Sequence, residues 1–386
     1  MTLTARDPRA PFHLPTPLQP LERRVRRWDV PLALITLVLA LAGVVLVWAA
    51  TRESSGQSFL YRQLINLVIA AGLTVGASRV DIRLLRLLGP IVYVGSLGGL
   101  LLVLVAGATV NGAKAWLRLG AGFEIQPAEF MKLGLVLGMA LLFTRHEDER
   151  DEDAPPPTRD VLLALGLVAV PVGLIMLQPD LGSTLVLCCA VFGVFVAAGV
   201  QARWTIGLLL VGVLGAVLAI KGGILHTYQL KRLGTFMHPN QDIQGAAYNI
   251  HQAAIAIANG GLFGTGLFHG PQTNGGFVPE QQTDFIFSVV GEELGLVGSC
   301  AMVALFALLC WRGLRIARAA DRTGRLVAVG VVCWFAFQSF QNIGMNIGLT
   351  PVTGVPLPFV SYGGSSMFAQ GLAIGLLQAI HRRSAV

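Results

Sequence analysis

The feature that most constrains this chain is a series of apolar runs, each about long enough to cross a lipid bilayer as a helix. A helix needs about 20 apolar residues to span a hydrocarbon core roughly 30 Å thick. Only 13% of the residues are charged and 54% are hydrophobic, which is far from the composition of soluble domains. The chain is therefore predicted to be an all-α integral membrane protein with about ten transmembrane helices. The runs lie near 30–50, 58–78, 87–108, 127–145, 161–177, 181–200, 204–222, 285–311, 326–348 and 364–380.

Basic residues set the predicted orientation, because Lys and Arg concentrate in the cytoplasmic loops of membrane proteins. With the N-terminus inside, most arginines fall in the N-terminal tail, in the inside loops and at the C-terminus. Both termini are therefore predicted to be cytoplasmic, and the net charge of +7 reflects membrane insertion rather than nucleic-acid binding. The few basic residues left for the outer side are Arg52, Arg62, Lys114, Arg118, Lys221, Lys231 and Arg232.

Non-helical stretches divide the chain. Residues 1–28 are proline-rich and are predicted to form a disordered cytoplasmic tail, followed by one polytopic membrane domain over 29–386. Residues 221–284 form a large predicted extracytoplasmic loop between helices 7 and 8, with a helix lying at the membrane surface. Residues 342–366 are rich in Gly and Pro yet apolar, so they are predicted to form part of a cavity wall.

Charged side chains near the outer side are the candidates for chemistry, because a charge within a membrane is expensive. Glu129 and Lys132 are spaced i, i+3, which predicts either that they form a mutual ion pair or that they help to bind a phosphate. Asp284 enters the eighth helix, where it is either a helix cap held ionised by backbone amides or a general base. Glu292 and Glu293 lie deeper and are predicted to be structural. No His or Cys residues have metal-ligand spacing, so no metal site or disulfide is predicted.

Six ordered motifs make the chain resemble the SEDS family of bacterial shape, elongation, division and sporulation proteins. The motifs are NGAKAWLRLG, QPAEFMKL, QPDLGS, YQLKRLGTF, PEQQTDFIFSVVGEELG and PVTGVPLPFVSYGGSS. The similarity covers the whole membrane region and is strongest to the elongation branch. It implies a ten-helix peptidoglycan glycosyltransferase that polymerises lipid II at the outer face of the bacterial cytoplasmic membrane. It also implies a class B penicillin-binding protein as partner, together with other proteins of the elongation complex.

The resemblance assigns roles to individual residues. By motif, Asp284 matches the acid treated as catalytic, and Trp116, Glu129 and Lys132 match positions associated with activity or its regulation. Trp116, together with Ser361 in the last motif, is expected to bind substrate.

One position departs from the family pattern. Relatives often carry Arg immediately before the Trp, where this chain has Ala115. Lys114 would have to replace that Arg with a point charge and no bidentate fork.

The implied chemistry agrees with the distribution of charges. In this hypothesis Asp284 takes the proton of the acceptor 4-hydroxyl while the acceptor oxygen attacks the anomeric carbon of the donor, with inversion. A divalent cation such as Mg²⁺ or Mn²⁺ is a further candidate to stabilise the departing diphosphate, although the sequence shows no dedicated ligand set. The cationic candidates for the diphosphate are Lys114, Arg118, Lys231 and Arg232.

Three alternatives stay open from the sequence. A lipid II flippase would need polar residues through the full depth of the bundle, whereas this chain concentrates them at the outer side. A paralogue of the division branch would share the same chemistry. A scaffold without activity would leave Asp284 and the Gly/Pro segment without a task.

Overall fold

The computed structural model describes residues 27–110, 113–120, 123–145, 154–222, 232, 234, 236 and 247–384. The described chain is mostly helical, with one small sheet between the third and fourth helices. Most of the predicted tail 1–28 and the middle of loop 221–284 lie outside these residues. The helices are α1 (Val30–Ser55), α2 (Ser58–Ser78), α3 (Ile82–Ala106), α4 (Pro127–Phe143), α5 (Thr158–Leu177), α6 (Leu181–Ala197), α7 (Ala202–Lys221), α8 (Tyr248–Gly260), α9 (Pro271–Gly275), α10 (Ile286–Ala319), α11 (Arg322–Asn346) and α12 (Gly364–Arg383).

Six of the described helices are long and apolar enough to cross a membrane. Residues on their outer faces, such as Val68 and Val105, remain 71% and 83% exposed, as lipid-facing residues do. The chain is therefore a multi-pass membrane protein, whereas the count of ten spans stays a prediction. The six are Val30–Ser54, Ser58–Ser78, Leu84–Ala106, Thr158–Leu177, Ile286–Ala319 and Arg322–Asn346, and the shorter apolar helices are Leu181–Ala197 and Ala202–Gly215.

The sequence predicts no strand, yet the described segments 108–110, 113–120 and 123–125 form a three-stranded antiparallel sheet. Its strands are β1 (Ala108–Val110), β2 (Ala113–Gly120) and β3 (Phe123–Ile125), in the order β1-β2-β3. The segment AKAWLRLG alternates small or apolar residues with larger or charged ones, which is the period of a strand. The expectation of helices alone was wrong here. The alternating pattern of AKAWLRLG is short and directly follows the long apolar run near 87–108, so it gives a weak strand signal.

Helix α10 is broken near its first third. Gly295 adopts φ +65°, outside the helical region, so the regular hydrogen-bond ladder stops there. The segment after α8 supplies replacement partners, because Leu296 and Val297 donate to the carbonyls of Gly261 and Leu262. The amides of Thr265 and Gly266 donate to the carbonyls of residues 292 and 293. The second half of loop 221–284 is thereby fixed against α10.

The ends of three helices meet at buried Asp29. Its carboxylate accepts from the backbone amide of Leu32 and forms a 2.7 Å ion pair with Arg312 of α10. The amide of Gln378 on α12 donates to the Asp29 carbonyl, and its Oε1 accepts from the Asp29 amide. Burial acts to raise the pKa of Asp29, but the hydrogen bonds from Arg312 and Leu32 outweigh it and lower that pKa. The start of α1 and the end of α12 therefore lie at the same end of the bundle.

Candidate active site

A cavity of about 1550 Å³ opens beside the start of α10 and has two different walls. One wall is apolar and is built from α5, α6 and α7, with side chains that include Leu165, Met176, Leu185, Phe192 and Leu209. The other wall carries the polar groups. These are Arg62, Asn66, Trp116, Glu124, Gln126, Asp180, Arg232, Glu280, Gln282, Thr283, Asp284 and Tyr362.

Asp284 lies in the polar wall, two residues before α10 begins. The turn that precedes it is fixed by Glu280, whose backbone has φ +55° and whose carbonyl accepts from the amides of residues 283, 284 and 285. The cap position of α10 is Phe285, and within the described part of the chain no side-chain hydrogen bond caps this helix end. The cap interpretation of Asp284 is therefore wrong, and its carboxylate is left to face the cavity.

Amide side chains of α11 fix the backbone of Asp284. Asn342 and Asn346 both donate to the Asp284 carbonyl, at 2.8 and 3.1 Å. Asn342 also donates to the Val355 carbonyl at 2.8 Å, so one fully buried amide holds both sides of the site. Asn346 Oδ1 accepts from the Ser288 amide of α10. Because both donating amides are fully buried, these directional contacts fix the backbone of Asp284 more tightly than apolar packing would.

The segment 351–363 crosses over Asp284 and is tied to it through the backbone. The hydroxyl of Ser361 donates to the Thr283 carbonyl and accepts from the Leu357 amide. The Tyr362 amide donates to the Gln282 carbonyl at 2.8 Å. Residues 351–354, 356 and 362–364 line the cavity. This placement supports the prediction that the Gly/Pro-rich segment forms a cavity wall.

The Asp284 carboxylate and the Arg232 guanidinium both lie beside Gly354. A Cβ atom added to Gly354 would lie 3.2 Å from Asp284 Oδ2 and 3.7 Å from Arg232 Nη1. Gly354 has φ +73°, a conformation that other residues rarely adopt. A side chain at this position would therefore be strained and would crowd both charged groups.

The surroundings of Asp284 raise its pKa to about 7. Burial is the largest cause, and the nearby Glu280 carboxylate adds to it. The Arg232 guanidinium acts in the opposite direction, while Asp180 makes a smaller contribution that raises the pKa. A carboxyl group with a pKa near neutral pH is suited to accept a proton and release it again. Burial, rather than a helix terminus, therefore sets the protonation of Asp284.

Glu129 and Lys132 form the predicted ion pair at 2.7 Å, with both side chains almost fully buried. Lys132 also donates to Gln338 Oε1 at 3.1 Å and lies 5.1 Å from the centre of the Trp334 ring. Gln338 Nε2 in turn donates to the Pro356 carbonyl. Neither residue of the pair lines the cavity, and through Gln338 the pair is connected to the segment that covers Asp284.

The predicted substrate-binding residues fall into separate groups. Trp116 and Arg232 line the cavity, whereas Lys231 lies outside the described residues. Lys114 donates to the carbonyls of residues 104 and 105 at the end of α3, and Arg118 is exposed and paired with Glu124 at 3.1 Å. Within the described chain, Lys114, Arg118 and Ser361 do not line the cavity.

The deeper carboxylate Glu292 has a structural role. Its Oε1 accepts from the Gln272 amide, and its Oε2 accepts from the Thr273 amide and hydroxyl at 2.8 and 2.7 Å. These donors lie at the start of α9, so Glu292 fixes that short helix against α10. Glu293 is also buried, and neither of its carboxylate oxygens has a hydrogen-bond partner among the described residues. Within the same residues, no three His, Cys, Asp or Glu side chains are grouped as metal ligands would be.

The sequence analysis missed the polar face of α11. Gln338, Asn342 and Asn346 recur every four residues along a helix that also carries Ser339 and Gln341, and all three are fully buried. Amides at this spacing share one face of a helix. Polar groups within a membrane helix are expected to face protein, so the spacing was a signal that this face meets other polar groups.

Comparisons with known proteins agree with this geometry. The family model FTSW_RODA_SPOVE, described as cell cycle protein, matches residues 29–385. Stage V sporulation protein E of Bacillus subtilis (strain 168) is 36% identical over 366 residues, covering 92% of this chain and 97% of that protein. Peptidoglycan glycosyltransferase MrdB of Escherichia coli (strain K12) is 35% identical over 354 residues, covering 92% and 93%.

Solved structures are similar over the same region. A chain of a peptidoglycan synthase complex that coordinates polymerization and crosslinking matches with a TM-score of 0.77 and 32% identity, covering 92% of this chain and 98% of the other. The rod shape determining protein RodA of Thermus thermophilus matches with a TM-score of 0.68 and 30% identity, covering 92% and 97%.

Proposed function

The chain belongs to the FtsW/RodA/SpoVE family, and we propose that it joins lipid II units into glycan strands with Asp284 as the general base. It is a peptidoglycan glycosyltransferase, like the relative MrdB. The observation that carries the proposed role is the position of Asp284 in a cavity with one polar and one apolar wall. Its pKa of about 7 suits it to proton transfer at neutral pH.

The proposed reaction has one displacement step. The 4-hydroxyl oxygen of the acceptor sugar forms a bond to the anomeric carbon of the donor, and Asp284 takes the hydroxyl proton. The bond between that carbon and the diphosphate breaks with inversion, and the polyprenyl diphosphate leaves with the electron pair. Arg232, which lies with Asp284 around Gly354, is placed to stabilise the negative charge of the leaving group.

The apolar wall suits the polyprenyl tail. Residues of α5, α6 and α7 line a continuous apolar surface that meets the polar wall near Asp180 and Asp284. An amphiphilic substrate can place its tail on the first wall and its sugar diphosphate on the second. Apolar burial gives about 25 cal/mol per Å², so such a wall can contribute to binding without precise alignment.

We propose a membrane arrangement of ten spans with both termini cytoplasmic. Asp29 and Gln378 bring the start of α1 and the end of α12 together, which supports termini on one face. Asp284 lies before the other end of α10, a helix of 34 residues that would reach about 50 Å if straight. The cavity would then open at the outer face of the bacterial cytoplasmic membrane, next to loop 221–284.

The partner that we propose is a class B penicillin-binding protein, in company with other proteins of the elongation complex. The similarity to a chain of a synthase complex that couples polymerization and crosslinking supports this proposal. The similarity to MrdB and RodA fits assignment to the elongation branch, and relatives from the sporulation and division branches are equally similar, at 36% and 35% identity.

The test is polymerisation of purified lipid II by this protein together with its cognate penicillin-binding partner. Wild type should give long glycan strands on a gel, and Asp284→Ala, folded and still bound to the partner, should give none. Equal strand synthesis by both proteins would exclude Asp284 as the base. If neither protein made strands, the flippase and scaffold hypotheses would be favoured instead.

A further inference from the structure

We propose that Arg62 and Asn66 form a second polar subsite in the same cavity, on the side of α2, which binds the sugar diphosphate of one of the two substrates. This inference rests on the proposed polymerase function. Neither residue is among the candidate site residues predicted from the sequence. The subsite is separate from Arg232, which lies with Asp284 around Gly354.

The geometry of α2 brings three cavity-lining side chains onto one face. Phe59, Arg62 and Asn66 are spaced by three and four residues, so they follow one another along the same side of the helix. The ring of Phe59 packs edge-on against Tyr362, with the ring centres 4.8 Å apart. Tyr362 is tied through its amide to Gln282, two residues before Asp284. The α2 face is therefore connected directly to the segment that carries the proposed base.

Asn66 carries a buried polar atom that lacks a partner within the described chain. Asn66 is only 3% exposed and lines the cavity, and its buried Oδ1 has no hydrogen-bond partner among the residues that the structure describes. A buried polar atom without a partner costs about 1–3 kcal/mol, so such a group asks for an explanation. A hydroxyl or the N–H of an acetamido group of a bound sugar can donate the hydrogen bond that this oxygen lacks.

Arg62 supplies the charge that a diphosphate requires. It is exposed at the cavity, and among the described residues no carboxylate lies within ion-pair distance of it. A guanidinium presents a planar set of donors that matches phosphate oxygens in a bidentate manner. Asn66 lies one turn further along the same face, so a phosphate at Arg62 would direct the attached sugar toward it.

Polymerisation requires a second subsite for a diphosphate. The reaction needs two diphosphate-linked sugars in the cavity at once, a donor and an acceptor. The cavity volume of about 1550 Å³ exceeds the range of about 300–1,000 Å³ that single small-molecule sites occupy. Arg232 beside Asp284 and Arg62 on α2 would then each hold one diphosphate.

The experiment compares Arg62→Gln and Asn66→Leu with Arg79→Gln, a matched control at the other end of α2 that does not line the cavity. Initial rates of lipid II polymerisation by the complex with the partner protein give kcat and KM. We expect Arg62→Gln to raise KM by about 10-fold or more and Asn66→Leu by about 5-fold, with kcat within about threefold of wild type. Arg79→Gln should behave as wild type.

A second measurement separates this proposal from the polymerase proposal. Binding of dansyl-labelled lipid II is titrated in nanodiscs with Asp284→Asn protein, with and without Arg62→Gln, so that no turnover is required. Weaker binding caused by Arg62→Gln supports the subsite even if wild type makes no strands. If wild type polymerises lipid II and Arg62→Gln and Asn66→Leu match Arg79→Gln in both KM and binding, the subsite is excluded and the polymerase proposal stands.

Discussion

The two walls of the cavity are built by opposite means. At the polar wall, Asp284 is held through backbone carbonyls by buried amides, and the segment 351–363 is tied over it by hydrogen bonds. At the apolar wall, α7 makes few contacts with the bundle, and Leu209 and Val213 remain 52% and 64% exposed. Hydrogen bonds fix direction and distance, whereas apolar contact is non-directional. The comparison teaches that chemistry and tail binding place different demands on the same cavity.

The first test of this comparison removes the base itself. Asp284→Asn keeps the shape of the side chain but cannot accept a proton at neutral pH. We expect the polymerisation rate to fall by about 10²–10⁴-fold, the range that general-base catalysis provides. Strand synthesis from lipid II measures the effect, and co-purification of the partner protein checks the fold. A decrease of less than about tenfold would exclude this role.

The second test breaks the buried ion pair that supports the polar wall. Lys132→Met leaves the Glu129 carboxylate buried without its cation, which typically costs about 3–5 kcal/mol. We expect a clearly lower unfolding temperature and loss of activity. The double variant Glu129→Gln with Lys132→Met is the matched control, because it removes both charges and should recover part of the stability. No difference between the single and double variants would contradict this explanation.

The third test uses pH. Asp284 has a pKa raised to about 7, and a general base must be ionised to act. We therefore expect kcat/KM to fall about tenfold per unit as the pH drops below 7 and to level off above it. At pH 6 only about one tenth of the molecules would carry the ionised base. A profile that is flat between pH 5.5 and 8 would contradict the raised pKa.

The fourth test loosens the hydrogen bonds at Asp284 without removing its carboxylate. Asn342→Leu removes the donor that joins the carbonyls of Asp284 and Val355, so we expect kcat to fall about tenfold. Gln341→Leu is the matched control, because Gln341 donates to Pro351 and Thr353 but not to Asp284. If kcat fell equally in both variants, Asn342 would act by positioning the segment 351–363 rather than Asp284.

The smallest effect is expected at the apolar wall. Leu209→Gln places a polar group on the surface that we assign to the polyprenyl tail, so KM for lipid II should rise a few-fold with kcat little changed. Leu210→Gln is the matched control, because Leu210 is also exposed on α7 but does not line the cavity. A loss in kcat as large as that of Asn342→Leu would remove the contrast between the two walls.

Much of the fold follows from the apolar runs. The predicted runs near 30–50 and 58–78 correspond to α1 and α2, and the Glu129–Lys132 ion pair was one of the two arrangements predicted from the spacing. The small sheet at 108–125 was missed because short strands beside long helices carry weak periodicity. The break in α10 was missed because Gly295 is tolerated within a helix unless another segment supplies the lost hydrogen-bond partners.

The sequence by itself determined that this chain is a helical membrane protein, which family it resembles and that Asp284 is the first residue to test. Those conclusions depend on local composition and on short motifs, which are readable along the chain. Only the tertiary structure decided that burial sets the pKa of Asp284 and that Asn342 joins it to Val355. It alone placed Arg62 and Asn66 in the same cavity. These relations join residues far apart in sequence, and only the packing of α2, α10 and α11 brings them together.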